Sequence, residues 1–210
     1  MKIIADQLGK RFDREWVLKN FSFQFLPGNT YALTGPNGSG KSTLLQLLWG
    51  QMLPTIGVIT YQKDGEVLPA EEIFKHVSIA TPYMDLIDEF SLEEMVTFHF
   101  QHKAPRANLT ALQAIDQMEL PLARHKQIRD FSSGMRQRLK LALAFFSNCD
   151  VLFLDEPTTN LDRNAFDWYW HHLKSLPAHQ LIIIASNQAE EYPVTAQKIN
   201  IPEYRLGASK

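Results

Sequence analysis

Cysteine is nearly missing from this chain, with Cys149 alone among 210 residues. That excludes an intramolecular disulfide framework and a thiolate metal cluster. The place of Cys149 in "SNCDVLFLDEP", beside an apolar run, points to a core or strand-entry role rather than to reactivity. No stretch approaches about 18 consecutive apolar residues, so no membrane span is expected within it. The start, "MKIIADQLGKRF", lacks the long apolar region of a secretory signal, and the cytoplasm is the expected location. An excess of one charge is also missing. Lys and Arg number 21 against 23 Asp and Glu, a formal charge of -2, which lends no support to a polyanion-binding protein. Internal repeats and low-complexity linkers are absent as well. The 45% hydrophobic content argues against disorder, and the length suits one α/β domain with a small lobe added.

The segments "MKIIADQL", "FSFQF" and "YALTG" are short, rich in β-branched or aromatic residues, and separated by turn formers. They predict a β-rich start, continued by "GVITYQKDG" with a Lys-Asp-Gly turn. The middle changes character. "SLEEMVTFHFQHK" opens with a capping box, Ser91 and Glu94, and carries Met95, Phe98 and His99 or His102 at helical spacing. A second helix is expected after Asn108, with Leu112, Ile115 and Leu120 partly on one face, and Pro105 and Pro121 mark the turns. Further on, "GMRQRLKLALAFF" and "DRNAFDWYWHHLKSL" read as helices, while "VLFLDEP" and "LIIIASN" read as fully buried strands. Such interleaving predicts a parallel sheet covered on both faces, with ligands bound beyond the strands' carboxyl ends.

The strongest local signal is "GPNGSGKST", directly after the strand "YALT". Gly35, Pro36, Asn37, Gly38, Ser39, Gly40, Lys41, Ser42 and Thr43 fit the phosphate-loop pattern and are the candidate nucleotide-binding residues. Small residues let consecutive N–H groups curl around phosphate oxygens at a helix N-terminus. Lys41 is expected to reach the β- and γ-phosphates, Ser42 to ligand Mg²⁺, and Thr43 to add a contact near the α-phosphate or cap the loop. "VLFLDEP" places Asp155 and Glu156 at a strand exit. Asp155 is the second candidate Mg²⁺ residue, directly or through a bound water, and Glu156 the candidate that polarises an attacking water. Two carboxylates beside a triphosphate repel it unless a cation intervenes, so Mg²⁺ is expected with ATP.

With "FSSGMRQRLKLALAF" the pattern becomes more specific. The ordered set "GPNGSGKST", "FSSGMRQR", "VLFLDEPTTNLD" and a following apolar strand resembles the ATP-binding cassette (ABC) ATPases, the nucleotide-binding subunits of membrane transporters. The resemblance runs from the early strands to about residue 190. It implies an α/β P-loop NTPase core with a mostly parallel sheet, an antiparallel β subdomain, and a helical subdomain at approximately 88–132 within a single domain over 1–210. It further implies that Ser132 and Gly134 contact the γ-phosphate held by a second copy of the subunit, although Ser132 also suits a plain helix N-cap. Asp162 in "TTNLD" is expected to couple two sites across a dimer, or to cap the next helix. Phe12, with Trp16 as the other candidate, takes the place of the aromatic that stacks on adenine; either ring also suits core packing. The implied partners are a second ATPase copy and a separate transmembrane permease, with no nucleic acid expected, and the implied place is the cytoplasmic face of a membrane.

The chain departs from the family pattern within one pentapeptide and at two further positions. The family pentapeptide Leu-Ser-Gly-Gly-Gln appears here as Phe131, Ser132, Ser133, Gly134 and Met135. Pro82 stands nearest the place of a glutamine that touches Mg²⁺ and the attacking water. Its neighbours Tyr83, Met84, Leu86, Ile87 and Phe90 suit a groove for a permease helix or packing within the lobe. Asn187, in "SNQ", stands where the family has histidine against the γ-phosphate; an amide can bridge water and phosphate but cannot become cationic. The expected function is an ATPase subunit of a transporter, with export slightly favoured. A binding switch with little turnover, and a soluble ABC ATPase of translation or repair, are the alternatives.

Overall fold

In the computed structural model, residues 1–120 and 123–204 are described. They separate into two compact units, one of 1–77, 150–156 and 178–204, the other of 78–120, 123–149 and 157–177.

The first unit holds two sheets. Strands β1 (Lys2–Phe12) and β2 (Glu15–Phe25) form an antiparallel pair, and β4 (Ile56–Lys63) joins the other side of β1, followed by β5 (Glu66–Leu68). The alternation in "FSFQF" is visible directly: Phe21 and Phe25 are buried while Ser22 and Gln24 are exposed. Phe23 and Phe25 pack edge-on against Tyr31 of β3 (Thr30–Thr34) at centroid separations of 5.6 and 5.0 Å, and Phe21 stacks on Phe25 at 6.3 Å. Asp64 and Gly65 both adopt positive φ between β4 and β5, the conformation that a two-residue hairpin turn requires. The second sheet is parallel. Its strands β7 (Val151–Asp155), β8 (Leu181–Ala185), β3 and β9 (Gln197–Asn200) lie in that order. Every residue of β7 and β8 is buried, which is why those segments read as continuous apolar runs. Helix α1 (Lys41–Leu48) follows β3 and buries Leu44, Leu45, Leu47 and Leu48.

Strand β6 (Val77–Ala80) leads the chain into the second unit, which is helical. Helix α2 (Leu92–His102) begins at the expected capping box: Ser91 Oγ accepts from the Glu94 amide, and the Glu94 carboxylate accepts from the Ser91 amide at 2.8 Å. Met95 and Val96 face inward, whereas Phe98 stays partly exposed against Phe90 and His102. Helix α3 (Ala111–Gln117) starts later than Asn108. Asn108 has a left-handed φ of 54° and closes a 3-10 turn after Pro105, so Thr110, with extended φ/ψ and Gln113 as its box partner, takes the cap. Leu112 is exposed while Ile115 is buried, so the expected apolar stripe holds only in part. Pro121 lies outside the described residues.

Helix α4 (Ser133–Phe146) is buried almost all round from Gln137 onward, and α5 (Arg163–Lys174) packs on it through Trp168, Tyr169 and His172 against Phe145. The Arg138 guanidinium lies 5.3 Å from the Trp168 ring and donates to the Glu119 carbonyl at 2.9 Å. The buried Arg138 thus finds its acceptor in the chain just beyond the end of α3. Cys149 is buried, as expected of a core position. No helix among the described residues is long and apolar enough to cross a membrane.

Candidate nucleotide site

The loop after β3 is built by backbone conformations that its sequence permits. Gly40, the residue before α1, has φ 103°, and a Cβ there would stand 2.8 Å from Val17 Cγ1. Both facts demand glycine. The turn closes through the Ser39 amide on the Pro36 carbonyl at 3.1 Å. Lys41 is 4% exposed, and its Nζ donates to the Gly35 and Pro36 carbonyls at 2.8 and 3.2 Å, which holds the ammonium over the loop. The amides at the start of α1 have no side-chain cap, so they stay available to an anion.

Asp155 closes β7 on the same side. It is 2% exposed, and burial raises its pKa to about 6, with the Ser42 hydroxyl and Lys41 opposing and Glu156 and Glu191 reinforcing the rise. Its Oδ1 is buried with no hydrogen-bond partner. An orphaned carboxylate oxygen beside a serine hydroxyl is the donor chemistry of a hard divalent cation. No group of three or more His, Cys, Asp or Glu side chains among the described residues is arranged to hold a metal. A cation here would therefore complete its shell with phosphate oxygens and water, as Mg²⁺ does. The residues fit Mg²⁺.

Glu156 has φ 43°, a left-handed conformation that is costly for a residue with a Cβ, and its amide donates to the Ala185 carbonyl at 2.9 Å. The chain thus turns sharply at the end of β7. From the neighbouring strand, Ser186 is fully buried, and Asn187 Nδ2 donates to Asn37 Oδ1 at 3.1 Å. Lys41, Ser42, Asp155, Glu156, Asn37 and Asn187 are thereby gathered at one end of the parallel sheet. Phe12 is 44% exposed at the β1–β2 hairpin, with Lys10 Nζ 5.3 Å from its ring. Trp16 has Arg11 and Lys19 at 5.5 and 5.2 Å from its ring, and it packs on Gly9. The cations engage Trp16 more fully than Phe12.

Ser132 and Gly134 belong to the helical unit. Ser132 Oγ accepts from the Met135 amide at 3.2 Å, and Asp162 Oδ1 accepts from the Ala165 amide at 2.8 Å, so both cap helices. A Cβ on Gly134 would lie 2.9 Å from the Asn160 carbonyl oxygen, so glycine lets the "TTNLD" segment approach α4 closely. Ser132, Gly134, Asn160 and Asp162 line one cavity of about 520 Å³, with Glu119 and Arg138 in its wall. Pro82 offers its carbonyl to Lys140 Nζ at 2.7 Å.

Glu191 is the residue that sequence reasoning passed over. It is fully buried and close enough to raise the Asp155 pKa, yet its segment "NQAEEY" reads as an ordinary polar strand exit. No spacing or motif signals it, because its burial follows from the 3-10 turn Ala189–Glu191.

A family profile described as ABC transporter matches residues 18–159. A Nod factor export ATP-binding protein I from Burkholderia thailandensis is 34% identical over 191 residues, covering 88% of this chain and 62% of its own length. The protein of the same name from Cupriavidus metallidurans is 33% identical, with 83% and 59% covered. The chain thus spans about three-fifths of the length of these curated relatives. Among solved structures, a putative ABC transporter ATP-binding protein from Pyrococcus furiosus superposes with TM-score 0.80 at 22% identity, covering 98% of this chain and 100% of that one. A dimeric ATP-binding cassette in a post-hydrolysis state, bound to ADP and Pi, gives TM-score 0.76 at 22% identity, with 89% and 88% covered. At such identities the likeness speaks for the fold: an α/β P-loop core with parallel and antiparallel sheets and a helical part. On the profile match over most of its length, the chain belongs to the ABC transporter family.

Proposed function

We propose that this chain binds Mg-ATP and hydrolyses it as the nucleotide-binding subunit of a transporter, working as a head-to-tail pair with a second copy and driving a separate membrane permease. The observation that carries this reading is the pairing of a phosphate loop with an orphaned, buried Asp155 oxygen at the next strand end but one. Lys41 and the loop amides neutralise phosphate charge, Ser42 and Asp155 hold the cation, and Glu156 orients the attacking water and accepts its proton. Mg²⁺, when bound, supplies charge neutralisation on the phosphate oxygens. Asn187, held by Asn37, orients water or the γ-phosphate without exchanging a proton.

Ser132 and Gly134, at the N-terminus of α4, are suited to receive the γ-phosphate of the other copy's nucleotide, and Asp162 to sense it. ATP then holds the pair closed, and loss of the shared γ-phosphate releases it. The segment 83–90 receives the permease, and Phe12 stacks on adenine. We place the pair beside the permease on the cytoplasmic face, and relatives named for Nod factor export favour export. Pro82 and Asn187 favour a second reading, a nucleotide-dependent switch with little turnover, since neither supplies the group that the family pattern has there.

Steady-state hydrolysis by wild type and Glu156→Gln, with Mg-ATP binding measured on both, separates the two. Turnover in wild type that Glu156→Gln removes, at unchanged affinity, upholds the ATPase. Background turnover in both, despite tight binding and a permease present, leaves the switch.

A further inference from the structure

Segment 82–89 is fastened to helix α4 by two cations one turn apart. Lys140 Nζ donates to the Pro82 carbonyl at 2.7 Å, and Arg136 donates to Asp88 Oδ1 at 2.6 Å. Backbone bonds continue the attachment: the Arg129 amide donates to the Asp88 carbonyl at 3.0 Å and the Ile128 amide to the Phe90 carbonyl at 2.9 Å. The stretch from Ile128 runs within a few residues into Ser132, the cap of α4. Both cations also line the groove of about 450 Å³ whose floor is Met84 to Glu89.

We propose that Arg136 and Lys140 are positioning residues that make the 82–89 groove and the first turn of α4 one mechanical body, so that a shift of the groove floor is felt at Ser132. Each pin has a distinct chemistry. Arg136 meets a half-exposed carboxylate, a pair that solvent weakens. Lys140 meets a neutral carbonyl from a half-buried position, and desolvation draws its pKa down. The bond to Pro82 is part-buried where the pair with Asp88 is exposed, so water competes with it less.

Pro82 gains a role here. A proline has no side-chain donor to offer, but it keeps a backbone carbonyl, and that is the acceptor Lys140 grips. Residue 140 lies about two turns from the N-terminus of α4, and the helix between them is continuous and buried from Gln137 to Leu139, so a push at Lys140 carries to Ser132. The functional weight of the link rests on the proposed contact of Ser132 and Gly134 with a partner's phosphate; the link itself does not.

Amide hydrogen exchange on the purified chain tests it directly. The reporters in the groove are the amides of Met84 and Phe90, and those in the first turn are Met135 and Arg136. Lys140→Met keeps the aliphatic stem and should speed exchange about tenfold at both places, a local opening without global unfolding. Lys140→Arg should restore wild-type exchange at both. Arg136→Gln should give a smaller rise at the same two places. Faster exchange in the groove alone, unchanged exchange everywhere, or no rescue by Lys140→Arg at an unchanged thermal midpoint would overturn the proposal. In a parallel hydrolysis assay, Lys140→Met should lower kcat about tenfold while KM for Mg-ATP stays within about twofold. A wild type no faster than Lys41→Ala refutes the ATPase reading, and the exchange results then decide the pins by themselves.

Discussion

Asn187 and Asn37 are joined side chain to side chain, Nδ2 to Oδ1 at 3.1 Å, so the end of β8 is tied to the phosphate loop by two amides. Neither group titrates near neutral pH, so this bond holds its donor and acceptor roles across the physiological range.

Removing that tie has a definite expected cost. Asn187→Ala should lower kcat about tenfold, the equivalent of one hydrogen bond of about 1.4 kcal/mol, while Mg-ATP affinity changes less than about threefold. Steady-state kinetics with a nucleotide-binding titration checks both. Asn187→His then asks whether a ring that can carry a proton raises turnover and introduces a pH dependence between about 5 and 8.

Glu156→Gln should cut hydrolysis by about 100-fold or more, the usual scale for a general base, and leave ATP binding intact. Lys41→Ala should instead weaken binding. Isothermal titration beside a phosphate-release assay distinguishes the two patterns.

Gly134→Ala should destabilise the protein by about 1–3 kcal/mol, because the new Cβ meets the Asn160 carbonyl and backbone must move. A urea midpoint measures the loss. ATP-dependent dimerisation, followed by light scattering, should fall further than the stability change predicts if the first turn of α4 meets the partner's phosphate.

Acid should weaken the helical unit. Burial lowers the pKa of His99 and of His172 to about 4, against an ordinary 6.5. The unfolded chain therefore binds more protons than the folded one between those values, and stability falls as pH drops from about 6.5 to about 4. For His99, hydrogen-bonded to Ser147 Oγ at 2.8 Å, the loss is on the order of 2 kcal/mol. Thermal midpoints at pH 7 and 4.5 should differ more in wild type than in His172→Phe, whose ring needs no proton among Phe145, Phe146 and Trp168.

Some features were legible without coordinates because short-range chemistry dictates them. The Ser91 and Glu94 capping box, the Asp64-Gly65 turn, and the strand–loop–helix of "YALTGPNGSGKST" all depend on neighbours within a few residues. Other features were not legible. The helix expected after Asn108 does follow it, but its cap, Thr110, was not read in advance, since Asn108 first closes a turn that follows Pro105. The burial of Glu191 followed from how its turn packs in the first unit.

What the sequence determined by itself, then, is the phosphate loop, the two buried strands that end in Asp155 and Ala185, and the order of helices, since periodicity and local backbone preferences specify these. Only the tertiary structure decided that Asn187 leans on Asn37, that Gly134 makes room for Asn160, and that Lys140 holds Pro82. Those pairs are separated by 150, 26 and 58 residues, and contacts over such distances are selected by packing, which no local pattern encodes.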